Sequence, residues 1–150
     1  SFHADALHPS AQGTMVYVPG AAMVPSSFAL SASRGAGVTE MKHGSKVSFT
    51  EKERIQGEAR SRLFAEGVLK ALRNEQLPVH SNRPIRNIIR RDGKNYLPAV
   101  IRYNLAATKV LVEVANLTNE EDAASIKDPA FRERYAEAVV KGIRAYYRKS

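Results

Sequence analysis

His3, Asp5 and Glu113 are the residues of this 150-residue chain whose types and settings could do chemistry. The opening Ser1-Phe2-His3-Ala4-Asp5-Ala6 alternates as a β-strand does. Strand side chains repeat every two residues, so His3 and Asp5 project from one face near the C-terminal end. Ligands and catalytic groups of α/β sheets gather at such ends. An imidazole there is a natural zinc ligand, and a nearby carboxylate can orient it or contact the metal. A His-x-Asp pair also fits a hydrogen-bonded imidazole beside a surface acid, since two residues are far less specific than a multi-ligand motif.

Glu113 interrupts the apolar run Val110-Leu111-Val112-Glu113-Val114. An ionised carboxylate is almost never fully buried unless paired or metal-bound, because desolvation costs several kcal/mol or more. A Glu whose pKa is raised by burial would suit a general base acting on a water that a metal activates. An ion pair with an arginine such as Arg102, or a wet strand end, would account for the same residue. The remaining histidines are His8, His43 and His80. Each falls in a turn-rich or Gly/Ser-rich stretch, where a solvated loop histidine is expected. Catalytic zinc sites typically use three protein ligands, so further ligands are expected upstream of Ser1.

Elements must hold these groups in place. Residues 1–6 and 15–18 read as short strands, the second stopped by Pro19-Gly20. A chain that opens in mid-strand implies that upstream residues precede it. Residues 20–50 shift toward Ala, Ser and Gly with no periodicity, the mark of an irregular insertion or a functional loop. Thr50 and Glu53 have capping-box spacing at the start of a helix. Ile55, Ala59, Leu63, Val68 and Leu72 form its expected apolar stripe, and Pro78 its expected stop. Residues 80–95 are basic and turn-rich, and residues 96–103 read as a strand entered through Pro98. Residues 110–114 are the strongest strand, of the kind buried on both faces of a parallel sheet. Thr118 or Asn119 can cap a short helical turn, and Asp128-Pro129 starts a final helix carrying Phe131, Tyr135, Val139, Ile143 and Tyr146. Strands alternating with amphipathic helices argue an α/β fold with a mostly parallel central sheet flanked by helices.

Composition narrows the class of protein. Hydrophobic residues make up 43% and charged residues 25%, a globular balance. No apolar run reaches the roughly 18 residues needed to span a bilayer. Cysteine is absent, which excludes disulfides and thiolate metal sites. Lys and Arg number 23 against 15 acids, a net charge of +8, which invites an anionic partner. The excess is local: Arg83, Arg86, Arg90, Arg91, Lys94, Arg102 and Lys109 face Asp92 alone between His80 and Val110. With Tyr96 and Tyr103 nearby, the stretch could be a non-catalytic binding face for nucleic acid or a cell-wall polymer. That reading leaves Glu113 without a role.

Ser1-Phe2-His3-Ala4-Asp5-Ala6 with Pro9-Ser10-Ala11-Gln12-Gly13 resembles the third-ligand strand of zinc-dependent N-acetylmuramoyl-L-alanine amidases. Val110-Leu111-Val112-Glu113 and Leu117-Thr118-Asn119-Glu120-Glu121-Asp122 resemble their catalytic-glutamate strand and the turn after it. Asp128-Pro129-Ala130-Phe131 onward resembles their closing helix. Gln12 stands where the family commonly has Arg, and Ala115-Asn116 where it has Gly-Phe.

The resemblance implies that residues 1–150 are the C-terminal portion of one three-layer catalytic domain, with a variable insertion at about residues 20–50. It implies zinc as cofactor, His3 as a metal ligand and Glu113 as general base and acid, with Asp5 as a neighbour in the site. Arg102, the basic residue weighed against Glu113, is a second candidate neighbour. It implies hydrolysis of the amide between the muramic acid lactyl group and L-alanine, in the periplasm or the extracellular cell wall. Peptidoglycan is then the partner, with no nucleic acid and no membrane span, and with room for a protein activator. Carboxylates of the stem peptide would account for the basic stretch.

Overall fold

The computed structural model describes residues 1–20, 38–42, 45–91, 93–102 and 104–148, with the backbone alone described at 38–42, 45–49, 51, 91 and 94. Its centre is β8 (Leu111–Asn116), whose residues are buried except for the half-buried Val114. The parallel neighbour of β8 is β1 (Phe2–Asp5), with His3 opposite Glu113. Its antiparallel neighbour is β2 (Met15–Tyr17), with Met15 opposite Glu113. In turn, β2 pairs in parallel with β5 (Ile85–Arg86), giving the sheet order β1-β8-β2-β5. The sheet is therefore mostly parallel, as the alternation of strands and helices predicts. Its one antiparallel pair among the described residues lies beside β8, where the 6–14 turn returns β2 alongside it.

Two helices cover one face. Val16, Val18 and Val112 of the sheet form a core with Ala65, Val68, Leu69 and Leu72 of α1 (Glu51–Asn74) and with Tyr135, Ala138 and Val139 of α4 (Pro129–Tyr147). The capping box is present: Glu53 N–H donates to Thr50 Oγ1, and Thr50 N–H to Glu53 Oε2 at 2.7 Å. The apolar stripe is rotated from the expected one. Val68 and Leu72 are buried, but Ile55 and Leu63 are 55% and 62% exposed, and Ala59 is exposed too. The buried row is Ser61, Ala65, Val68 and Leu72, also at helical spacing. The helices approach closely at Gly142 of α4, where a Cβ would lie 2.7 Å from Val68 Cα. α1 ends before Pro78 is reached, with Gln76 at φ 57 and Leu77 N–H bonded to Leu72 O.

The opposite face carries Tyr17 and Leu111, packed on Ile101 of α2 (Ala99–Arg102) with Ile89 and Leu97 beside them. Here the expected strand over residues 96–103 is corrected. β7 (Lys94–Tyr96) stops at Tyr96, paired with β6 (Ile89–Arg91), and a short helix follows. Pro98 sets the turn, its carbonyl accepting from both Ile101 and Arg102 N–H at 2.9 Å. Tyr103 and Asp92 lie outside the described residues. The aperiodic 20–50 stretch also holds more order than its sequence indicates: β3 (Val38–Lys42) and β4 (Ser45–Phe49) form an antiparallel pair. Their sequences, VTEMK and SKVSF, alternate too weakly to register as strands. Residues 21–37 of that stretch, and His43, lie outside the described residues. α3 (Glu120–Lys127) is a full helix capped by Asn119, and Asp128 caps α4 through Ala130 N–H at 3.0 Å. Among the described residues no helix is long and apolar enough to cross a membrane.

Candidate active site

The strand pairing brings His3 and Glu113 to facing positions although 110 residues separate them. Between His3 and Asp5 the register slips, so that Asp5 faces Asn116. His3 is exposed, with Nε2 2.7 Å from Ser1 Oγ. Asp5 is half-buried and its Oδ1 accepts the Ala6 N–H at 2.8 Å. Glu113 is 8% exposed, and its Oε2 is buried with no hydrogen-bond partner. Burial, and then the negative charge of Asp5, pushes the Glu113 carboxyl up to about 7. A guanidinium paired with it would act in the opposite direction, which speaks against the ion-pair reading with Arg102. That arginine closes α2, half-buried, in the layer above this face.

His8 and His80 stay in loops. His8 is exposed with Nδ1 2.8 Å from Ser10 Oγ, and His80 Nδ1 accepts the Asn82 N–H at 3.1 Å. Among the described residues no group of three His, Asp or Glu side chains could hold a metal. The donors present fit one side of a zinc site: an accessible imidazole beside a buried carboxyl with an unused oxygen. They do not form a closed ligand set.

Two groups of residues escape sequence reasoning. The first is Tyr17 on β2, opposite Leu111 and paired on its other side with Arg86 of β5. Burial raises the phenol pKa of Tyr17 against the pull of Arg86, and Asp5 and Glu113 push it the same way as burial. Tyr17 therefore shares the electrostatic neighbourhood of both acids. Its place two residues after Met15 is the only sequence signal.

The second group fastens the end of β8 to the 6–14 turn. Asn116 is fully buried. Its Oδ1 accepts the Leu7 N–H at 2.9 Å, while its Nδ2 donates to His8 O at 3.0 Å and Ala11 O at 2.7 Å. Asp122 Oδ2 accepts the N–H groups of Gly13 at 2.9 Å and Asn116 at 2.8 Å. Gln12 Nε2 reaches Glu121 Oε2 at 2.6 Å. Gln12 and Asn116 thus both work in this clasp. Gly13 has φ 83, and a Cβ there would lie 2.8 Å from the Val79 carbonyl carbon, so the turn requires glycine.

A family model described as N-acetylmuramoyl-L-alanine amidase matches residues 1–145. No curated protein matches the chain. Among solved structures, the chain is similar to the N-acetylmuramyl-L-alanine amidase Ami1 from Mycobacterium smegmatis, at 22% identity and TM-score 0.61, covering 100% of this chain and 53% of that one. The apo form of Ami1 from Mycobacterium abscessus is similar at 24% identity and TM-score 0.59, covering 98% and 53%. The CwlD amidase from Clostridioides difficile, in complex with the GerS lipoprotein, is similar at 16% identity and TM-score 0.59, covering 100% and 54%. These likenesses bear on the fold, and the chain spans about half the length of each of these proteins. With the family model matched over residues 1–145, the chain belongs to the N-acetylmuramoyl-L-alanine amidase family.

Proposed function

We propose that this chain serves in zinc-dependent hydrolysis of the amide between the muramic acid lactyl group and L-alanine in peptidoglycan, with His3 a zinc ligand and Glu113 the general base and acid. The observation that carries the reading is the unpartnered Oε2 of a buried Glu113 set opposite an accessible imidazole. Residues 1–150 then form the C-terminal portion of one catalytic domain, and ligands outside this chain complete the metal site. The working place is the cell wall or the periplasm. A protein activator is a natural further partner, given that one structural neighbour was solved in complex with a lipoprotein.

Zinc, when bound, supplies Lewis acidity to the scissile carbonyl and lowers the pKa of water near it. The chain's own residues do the rest. His3 reaches solvent from the exposed edge of its strand, so its imidazole is available to a ligand without rearrangement of the core. Glu113, with a carboxyl held near 7, takes the proton of the attacking water at Oε2 and later gives it to the departing alanine nitrogen. The bond that breaks is the amide C–N, and the bond that forms is C–O to the water oxygen. Asp5 keeps the Glu113 carboxyl basic by adding a nearby negative charge. In the full protein Glu113→Gln should keep fold and zinc content, measured by circular dichroism and metal analysis. Release of stem peptide from peptidoglycan should fall by about a hundredfold or more. Turnover near wild type in that variant would remove Glu113 from the mechanism.

A further inference from the structure

Beside the acids lies a groove of about 550 Å³ with Leu7 at one end and Arg83, Arg86, Ile89 and Arg90 along it, and Tyr17 lines it too. Among the described residues no carboxylate lines it, and three guanidiniums border the cavity. Arg86 is preset: its Nε–H donates to Arg83 O at 3.3 Å, and its guanidinium also bonds the Tyr17 hydroxyl. Arg83 holds φ 53, a left-handed conformation that a non-glycine residue adopts only when its surroundings fix it. Arg83 and Arg90 are exposed, while Arg86 is half-buried. A planar fork held in this way suits bidentate pairing with a carboxylate.

The position of the groove ties it to the reaction. Leu7 follows Asp5 by two residues, and Tyr17 sits one cross-strand step from the Met15–Glu113 pair, about 7 Å along the strand. A peptide leaving the neighbourhood of Glu113 over Tyr17 would enter the groove within two or three residues. We infer that the groove of Arg83, Arg86 and Arg90 seats the carboxylates of the stem peptide, on the amine side of the bond that is cut. The inference rests on the amidase reading and names the part of the substrate that sets specificity.

The test is calorimetric titration of the full protein with two stem peptides of one sequence, one with free carboxylates and one with every carboxylate amidated. Neither contains the scissile bond, so binding is read apart from turnover. The free peptide should bind roughly tenfold or more tightly than the amidated one. Arg83→Gln and Arg90→Gln change exposed side chains and should keep the circular dichroism spectrum. Each should weaken the free peptide by about three- to tenfold and leave the amidated one unchanged. Equal affinity for the two peptides would overturn the inference, as would Gln variants that bind like wild type. A glycerol-phosphate oligomer that binds where the free peptide does not would also overturn it, marking a phosphate site instead. Charge-selective peptide binding in a protein that cleaves no amide would sink the amidase reading and keep the groove. Cleavage with charge-blind binding would do the reverse.

Discussion

His3 and Glu113 face one another across the β1–β8 pair, one imidazole exposed and one carboxyl buried. The exposed partner can meet a metal from outside, and the buried one has its acidity set by the protein interior. The two roles separate by mutation. His3→Ala should leave the unfolding free energy within about 0.5 kcal/mol of wild type, because nothing buried is lost. Zinc bound per mole of the full protein should drop severely, measured by metal analysis after dialysis. Unchanged zinc content would dismiss His3 as a ligand.

The Asn116 clasp should carry a large share of local stability. Asn116→Ala removes a fully buried amide and strands the carbonyl of Ala11 and the N–H of Leu7, while His8 O keeps only the Ala11 N–H. A loss of roughly 2–4 kcal/mol in urea unfolding is expected. Asn116→Asp should not rescue it, since a carboxylate cannot donate to the two carbonyls. Hydrogen exchange should quicken at Leu7 in Asn116→Ala, which loses the acceptor of its N–H.

Two glycines at the α1–α4 crossing should respond with opposite signs. Gly142→Ala places a Cβ 2.7 Å from Val68 Cα and 3.2 Å from Gly67 O, so the helices must part, at a cost of about 1–3 kcal/mol. At Gly67 a Cβ meets only Gly142 O at 3.6 Å, an ordinary contact. Gly67→Ala should therefore gain up to about 1 kcal/mol from helix propensity. Thermal unfolding of the two variants side by side checks the pair.

Tyr135 should set part of the alkaline limit. Burial pushes its phenol up to about 12, with the Thr14 hydrogen bond pulling the other way. Because the folded value lies above the unfolded value of about 10, its contribution is whole below pH 10 and fades as pH climbs toward 12. The loss amounts to about 2 kcal/mol at the upper end. Tyr135→Phe should be about 1 kcal/mol less stable at neutral pH and should close that gap between pH 10 and 12, as followed by urea unfolding at each pH. A constant difference at every pH would contradict the burial of the phenol.

The local parts of the fold were legible in the sequence. The Thr50–Glu53 box and the Asp128-Pro129 start rest on neighbours three residues apart or closer, and both form as read. Features decided by distant partners were not. Two rows of α1 have helical spacing, and packing against the sheet and α4 selects the row of Ser61 and Ala65 over that of Ile55 and Leu63. Residues 96–103 hold β-formers, but Pro98 turns the chain into α2 before a strand can lengthen. At the site, His3 and Glu113 stood out because each breaks a local pattern. Tyr17 and Arg86 break none, and their meeting depends on the β2–β5 register, which no spacing along the chain reveals.

The pairing of β1 with β8 also has a consequence in time. Ser1 O accepts the Val112 N–H at 2.8 Å and Asp5 O the Leu117 N–H at 2.8 Å, so the strand closes a loop of more than a hundred residues. Helices such as α1 and α4 need only local contacts, while a closure of that length waits on the search of the whole chain. The imidazole and the carboxyl therefore meet late in folding. A half-folded chain holding only its helices would lack the pair, so His3 and Glu113 are brought together only by the completed sheet.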